Sequence, residues 1–301
     1  MDHLSNLTTE ARHPSSEHLD ELPTPSLVEL LHSGDHEALD AVQRILPQIA
    51  TAIDTVSVRM AAGGRLFYSG AGTSGRLGVL DASECPPTYN TSPEMVQAVI
   101  AGGDIALRTA VEGAEDHPEL GGDDLIAQGF TAKDTLVAIA ASGRTPYALG
   151  ALEYARSLGA FTIGLSCVAN SPVATSADLA LTPVTGPEIV TGSTRMKAGT
   201  ATKLVLNMLS TGVMVRLGYV YGNLMVNLQP TNKKLRDRAT RIVATLTGLD
   251  APAAAALLHQ AGSVRVAVLM HRLSLDRTAA AARLEAAHGS LRAALGEAGS
   301  K

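Results

Sequence analysis

Short apolar runs alternate along the chain with longer stretches in which apolar residues return every three or four positions. Leu66–Tyr68, Met95–Ile100, Leu136–Ala141, Phe161–Leu165 and Leu179–Leu181 are runs of strand length,. Between and around them the spacing is helical. From Asp35, a helix-capping residue type, to about Ala62, the apolar set Leu39, Val42, Leu46, Ile49 and Ile53 predicts helix,. Pro47 interrupts it, giving one kinked helix or two, the second with Pro47 in its first turn. Pro146–Leu158 predicts a helix bounded by proline and Gly159, and Met196–Leu217 a long one opened by Ser193 and Thr194,. The acidic stretch through Glu112, Glu115, Asp116 and Glu119 reads as helix or loop. Strands alternating with helices, without hairpin signals, predict an α/β fold with a doubly wound parallel sheet. Ligands of such sheets bind at the carboxyl ends of the strands.

Both ends of the chain depart from that rhythm. Residues 1–25 are polar and punctuated by Pro14, Pro23 and Pro25, so an N-terminal leader is set at 1–35, the main domain at 36–247 and a small helical domain at 248–301,. The last segment is Ala-rich and echoes itself at a period of about 27. Gly262 and the six residues after it are answered by Gly289 and its successors, and Leu257 by Leu284. Units so small cannot each bury a core, so they should pack on each other or on a partner subunit, a structural role.

Composition narrows the function. The chain has 301 residues, 46% hydrophobic but 3% aromatic with no Trp, so its core must be aliphatic,. A net charge of -5, with no Lys/Arg cluster, argues against nucleic acid or an anionic membrane as partner and for a small molecule,. The first residues carry neither a basic nor an apolar targeting region, and no apolar run approaches a membrane span, so a cytoplasmic location is expected. Two distant cysteines, Cys85 and Cys167, make neither a disulfide framework nor a zinc site, and scattered histidines suggest no metal,.

The densest chemistry follows the first strand. Gly70, Gly72 and Gly75 permit a tight loop in which Thr73, Ser74 and the first N–H groups of the next element point donors at a small anion, with phosphate as the default,. Gly70-x-Gly72-x-x-Gly75 also fits a dinucleotide fingerprint, but the acidic residue that should close the second strand is missing: Asn90 stands near that position and Glu94 precedes the strand,. A second Ser/Gly turn, Ser142, Gly143, Arg144 and Thr145, closes another strand, and two such turns can converge on one phosphate at a switch point of the sheet. Glu84, beside Cys85, Pro86 and Pro87 in an apolar setting, and Glu115 are the candidate acid and base. Residues 186–203 form the other dense stretch. Arg195 and Lys197 there fall in the first turn of the long helix, where cations are disfavoured unless an anion is bound, and this marks a ligand site,.

The loops at 70–76 and 141–146 and the Gly186–Thr200 stretch together resemble the sugar isomerase (SIS) fold, and within it the N-acetylmuramic acid 6-phosphate etherases. The resemblance runs from about Thr8 through the paired repeats, nearly the whole chain. The glucokinase regulatory proteins share the signature but carry two such domains, where this chain has one. A flavodoxin-like SIS domain is implied, acting without cofactor on a phosphosugar and paired as a homodimer. The implied reaction cleaves the D-lactyl ether of N-acetylmuramic acid 6-phosphate, with Glu84 protonating lactate, Glu115 as the second acid/base, and Gly72, Thr73, Ser74, Ser142, Gly143, Thr145, Ser193 and Thr194 binding substrate. The rival is a non-catalytic phosphosugar-sensing regulator on the same fold, which would not need both glutamates.

Overall fold

The computed structural model describes residues 9–228 and 233–297, so the first eight residues of the expected leader and the last four of the helical domain lie outside the described residues. Two helices come first, α1 (Thr24–Gln43) and α2 (Leu46–Ala61). The proline alternatives resolve as two helices, with Pro47 in the first turn of α2,. The start of α1 differs from the expected Asp35. Pro25 opens it much earlier, and its buried residues, Gly34, Ala38, Ala41 and Val42, all fall in its second half, so the first turns carry no buried stripe to mark them in the sequence.

The sheet comprises β1 (Leu66–Gly70), β2 (Val96–Ile100), β3 (Thr135–Ile139), β4 (Phe161–Leu165) and β5 (Leu179–Leu181). All pairings are parallel, in the order β2-β1-β3-β4-β5. This is the flavodoxin-like winding, whose switch point lies between β1 and β3. The crossovers run through α3 (Gly72–Tyr89), α4 (Pro118–Ala127), α5 (Pro146–Ser157) and α6 (Pro172–Ser176), and α7 (Lys197–Arg216) follows β5. Every residue of β1 and β3 is buried, as continuous apolar runs in a doubly covered sheet require,. Helices α4 and α5 cross closely at Gly121 and Gly150: a Cβ on Gly150 would lie 1.8 Å from the Pro118 carbonyl oxygen. Phe67 and Phe130 meet edge to face at 5.1 Å in a core otherwise mostly aliphatic.

A buried carboxylate ties α3, α7 and β1 together. Asp81 accepts from the Tyr68 hydroxyl at 2.8 Å, the Asn207 amide at 2.7 Å and the Ser210 hydroxyl at 3.1 Å. Burial pushes its carboxyl above the usual range, although those three donors pull the other way,.

The chain forms two compact units. One contains the residues up to Ser83 with Pro93–Ser210, the other Glu84–Ser92 with the residues from Thr211 onward. The second unit holds a hairpin of β6 (Val220–Tyr221) and β7 (Leu224–Met225), then α8 (Lys233–Thr247), α9 (Ala251–Ala261), α10 (Val264–Leu273), α11 (Arg277–Ala286) and α12 (Leu291–Leu295). The hairpin corrects the expectation of an α/β chain without one. Its signal is Gly222-Asn223 between two apolar pairs, with Gly222 at φ 60°,. The echo at period 27 is a repeated helix pair. Asp250 and Asp276 cap the first helices by accepting from Ala253 and Ala279, glycines 262 and 289 take positive φ, and Ser263 and Ser290 cap the second helices,. The copies pack on each other, sharing a core that includes Val264, Leu269, Leu284 and Leu291, and Arg265 donates to the Gly289 carbonyl at 2.8 Å. Helix α8, placed by the sequence pattern in the larger domain, shares that core through Ala239, Ile242 and Val243, because its own stripe is amphipathic,.

Candidate functional site

In the first unit, a cavity of about 270 Å³ opens at the carboxyl ends of β1 and β3. It gathers Gly72, Thr73 and Ser74 from the loop after β1, Ser142 and Thr145 from the loop after β3, and Thr194 from the segment before α7. Glu115 also lines it, carried on a short 3₁₀ turn, Ala114–Asp116, that follows Gly113 in the left-handed region. Helix α3 makes its first backbone bond from Gly75 N–H to the Ala71 carbonyl at 3.1 Å, so the N–H groups of Gly72, Thr73 and Ser74 have no acceptor within the helix,. In α5 the corresponding bond runs from Leu149 N–H to the Thr145 carbonyl. Two helix amino ends and several hydroxyls thus converge on one small, polar cavity, a combination that holds an oxyanion without a metal or a lysine.

Three expected site residues do not line this cavity. Gly143 shapes the turn instead: it stands at φ +69°, its N–H donates to the Ala140 carbonyl, and a Cβ there would lie 2.1 Å from the Ser171 hydroxyl oxygen. Ser193 belongs to the turn before α7, its N–H donating to the Val190 carbonyl. Glu84 is exposed, not lodged in apolar surroundings, and stands on the part of α3 that belongs to the second compact unit.

The amino end of α7 corrects another expectation. The helix begins at Lys197, so Ser193, Thr194 and Arg195 precede it, and the anion at its amino end is the protein's own. Glu188, fully buried, accepts from Lys197 N–H at 2.9 Å and Ala198 N–H at 3.0 Å. The Lys197 ammonium donates to the Glu37 carboxylate and, at 2.7 Å, to the Pro187 carbonyl. Burial raises the Glu37 carboxyl, but hydrogen bonds and charge from Lys197 and His13 outweigh it and leave the group below its usual range,. The cation that the macrodipole disfavours is therefore balanced inside the fold. Cys167, whose thiol donates weakly to the Ala198 carbonyl, is pushed up to about 12 by burial and by the Glu188 charge, which keeps it a neutral core residue,.

Glu10 lines the cavity and the residue pattern gave no sign of it. It sits four residues before the predicted leader's Pro14, and long-range contacts anchor that segment: His13, buried, meets Glu37 at 3.3 Å, and Glu37 holds Lys197. Its signal lay in the resemblance, which begins at Thr8. Thr202, from the second turn of α7, is a further wall residue. Among the described residues no group of three or more His, Cys, Asp or Glu side chains is placed to hold a metal ion, and no single helix is long and apolar enough to cross a membrane.

Comparison with known proteins adds to this geometry. Residues 48–156 match the glucokinase regulatory protein N-terminal SIS domain, and residues 119–212 the SIS domain. The chain is 55% identical over 293 residues to the N-acetylmuramic acid 6-phosphate etherase of Streptomyces coelicolor, covering 97% of this chain and 94% of that one. It is 52% identical to that of Aliivibrio fischeri, covering 98% of each. Among solved structures, a Bacteroides fragilis protein assigned as a phosphosugar isomerase involved in capsule formation superposes with a TM-score of 0.50 at 19% identity, over 65% of this chain and 94% of the other, a likeness of fold.

Proposed function

Because the chain belongs to the N-acetylmuramic acid 6-phosphate etherase family, we propose that it cleaves the D-lactyl ether of N-acetylmuramic acid 6-phosphate to N-acetylglucosamine 6-phosphate and D-lactate, as a carbon–oxygen lyase. The observation that supports this most is the cavity where two helix amino ends and a ring of hydroxyls meet a carboxylate, Glu115. The hydroxyls and N–H groups suit a phosphate; the carboxylate suits proton transfer.

In the open-chain sugar the ether oxygen is β to the C1 aldehyde. Removing the C2 proton gives an enolate, which expels the C3 ether oxygen as lactate once that oxygen is protonated. Water then adds at C3 of the enal, and C2 takes a proton back. One base and one acid suffice, and the acid becomes the base when water attacks. In this reading Glu115 removes the C2 proton and Glu84 protonates the departing lactate, a role carried over from the family resemblance. The reading also takes the chain to work as a homodimer in the cytoplasm, on sugars released by cell-wall breakdown. Against a phosphosugar sensor on the same fold stand the etherase names of relatives that align over nearly the full chain.

The test is incubation with N-acetylmuramic acid 6-phosphate in deuterium oxide. D-Lactate should be released and the sugar product should carry deuterium at C2. Lactate release with undisturbed C2 hydrogen would mean direct displacement, and no lactate at all would remove the etherase reading.

A further inference from the structure

A second lobe of about 160 Å³ adjoins the cavity, sharing Ala71, Gly72 and Glu115 with it. Its walls differ in kind. Where the first cavity offers hydroxyls and helix amino ends, this one sets the alkyl groups of Ala101, Ala106, Ala110 and Val111 beside polar backbone and two carboxylates, and carries a single cation, Arg76. The Arg76 Nε donates to the Ala106 carbonyl at 2.9 Å and more weakly to that of Leu107 at 3.3 Å, which fixes the guanidinium against the lobe wall. A guanidinium has five N–H donors and Nε supplies one, leaving the planar pair of Nη groups for another acceptor. The other charged groups on the lobe, Glu112 and Glu115, form no ion pair with Arg76 among the described residues.

We propose that this lobe receives the lactyl arm of the substrate, the Arg76 guanidinium pairing with its carboxylate and the alanine and valine side chains facing its methyl group. The inference rests on the etherase reading above and extends it to the feature that sets this substrate apart from other phosphosugars. The chemistry matches part by part. A lactyl ether presents one methyl and one planar carboxylate; the alanine and valine side chains suit the methyl, and the forked Arg76 cation offers the carboxylate a partner on a lobe whose other charges, Glu112 and Glu115, are negative,. The volume is about tenfold what a single water needs, ~10–15 Å³, so it holds an arm of several heavy atoms,. Glu115 lines both lobes. With the phosphate in the first and the lactyl arm in the second, the C2–C3 bond between them passes the carboxylate that must act on it.

Two variants test the assignment, Arg76→Gln and Val111→Asp, the second placing a like charge beside the lactyl carboxylate from an exposed turn position. D-Lactate release from N-acetylmuramic acid 6-phosphate gives KM and kcat, and calorimetry gives the Kd of the product, N-acetylglucosamine 6-phosphate, which lacks the arm. A lost charge-assisted contact should lower kcat/KM about 10- to 100-fold, chiefly through KM. The product Kd should stay within about twofold. Equal weakening of substrate and product would assign Arg76 to the phosphate or the fold and overturn the proposal, as would an unchanged KM in both variants. If Arg76→Gln does not fold, Val111→Asp decides by the same two readouts. A wild-type protein that releases no lactate would remove the etherase reading, and this inference with it; lactate release with indifferent variants would remove this inference alone.

Discussion

Replacing Glu188 by Gln tests the claim that α7 is capped from inside the protein. The carboxylate is fully buried and accepts two backbone N–H bonds, at 2.9 and 3.0 Å, at the start of a 20-residue helix. Hydrogen bonds to a charged group contribute about 1.5–3 kcal/mol each, and a carboxylate against a helix amino end adds up to ~2 kcal/mol when partly buried. Glutamine keeps one oxygen, so one bond survives in a weaker, neutral form. Its amide nitrogen then faces the other N–H, donor against donor, and a buried unsatisfied group costs a further ~1–3 kcal/mol. Lys197 keeps Glu37 and the Pro187 carbonyl, so no charge is left bare. The expected loss is about 4 kcal/mol in urea unfolding followed by far-ultraviolet circular dichroism, at unchanged m. Amide exchange at Lys197 and Ala198 should accelerate, and KM should rise because Ala198, Gly199 and Thr202 line the cavity. A loss under ~1 kcal/mol with native exchange at those two amides would refute the reasoning.

Gly143→Ala should cost about 2–4 kcal/mol in the same urea assay and raise KM, since the new methyl meets Ser171 at a left-handed backbone position between Ser142 and Thr145; a midpoint within error of the wild type would contradict this,. Asp81→Asn tests the buried carboxylate through pH. Its folded pKa is raised, so the stability it adds is complete below the unfolded value, about 3.8, and is lost as pH rises through the folded value,. The wild type's advantage over the non-titrating variant should therefore shrink as pH rises above about 4 in urea titrations, and an advantage growing with pH would reverse that sign,.

Strands β1, β3 and β4 were legible because parallel strands covered on both faces are mostly apolar, which leaves near-continuous runs in the sequence with only Ser69, Thr135 and Thr162 as buried polar interruptions,. The loops after β1 and β3 were legible for a related reason: serine, threonine and glycine stand where those runs stop. Elements stabilised by distant contacts were not. The first half of α1 has no fully buried residue, Leu27, Leu30 and Leu31 being only half-buried, and the β6–β7 hairpin is only two residues long on each side. Helix α8 has a readable stripe, but which core the stripe joins is a fact of tertiary structure that periodicity does not contain. Glu10 was missed for the same reason, since what holds its segment near the cavity is the chain of contacts from His13 to Glu37 to Lys197, spread over most of the first unit.

In the stretch around residues 186–203 the first-turn cation Lys197 finds its anion within the chain, while Thr194, Gly199 and Thr202 of the same stretch line the cavity. Cations in the first turn of a helix do require an anion nearby, and Lys197 has two, Glu37 at its ammonium and Glu188 at its backbone N–H,. Both are supplied by the chain, so this helix end is satisfied before any ligand arrives. Among the described residues no carboxylate accepts from the N–H groups at the amino ends of α3 and α5, and Gly72, Thr73 and Ser74 line the cavity beside Ser142 and Thr145. Those two helix ends are therefore the proposed place of the substrate phosphate,. Helix α7 contributes walls and hydroxyls, through Gly199 and Thr202, and its internal cap keeps them in place whether or not the cavity is filled.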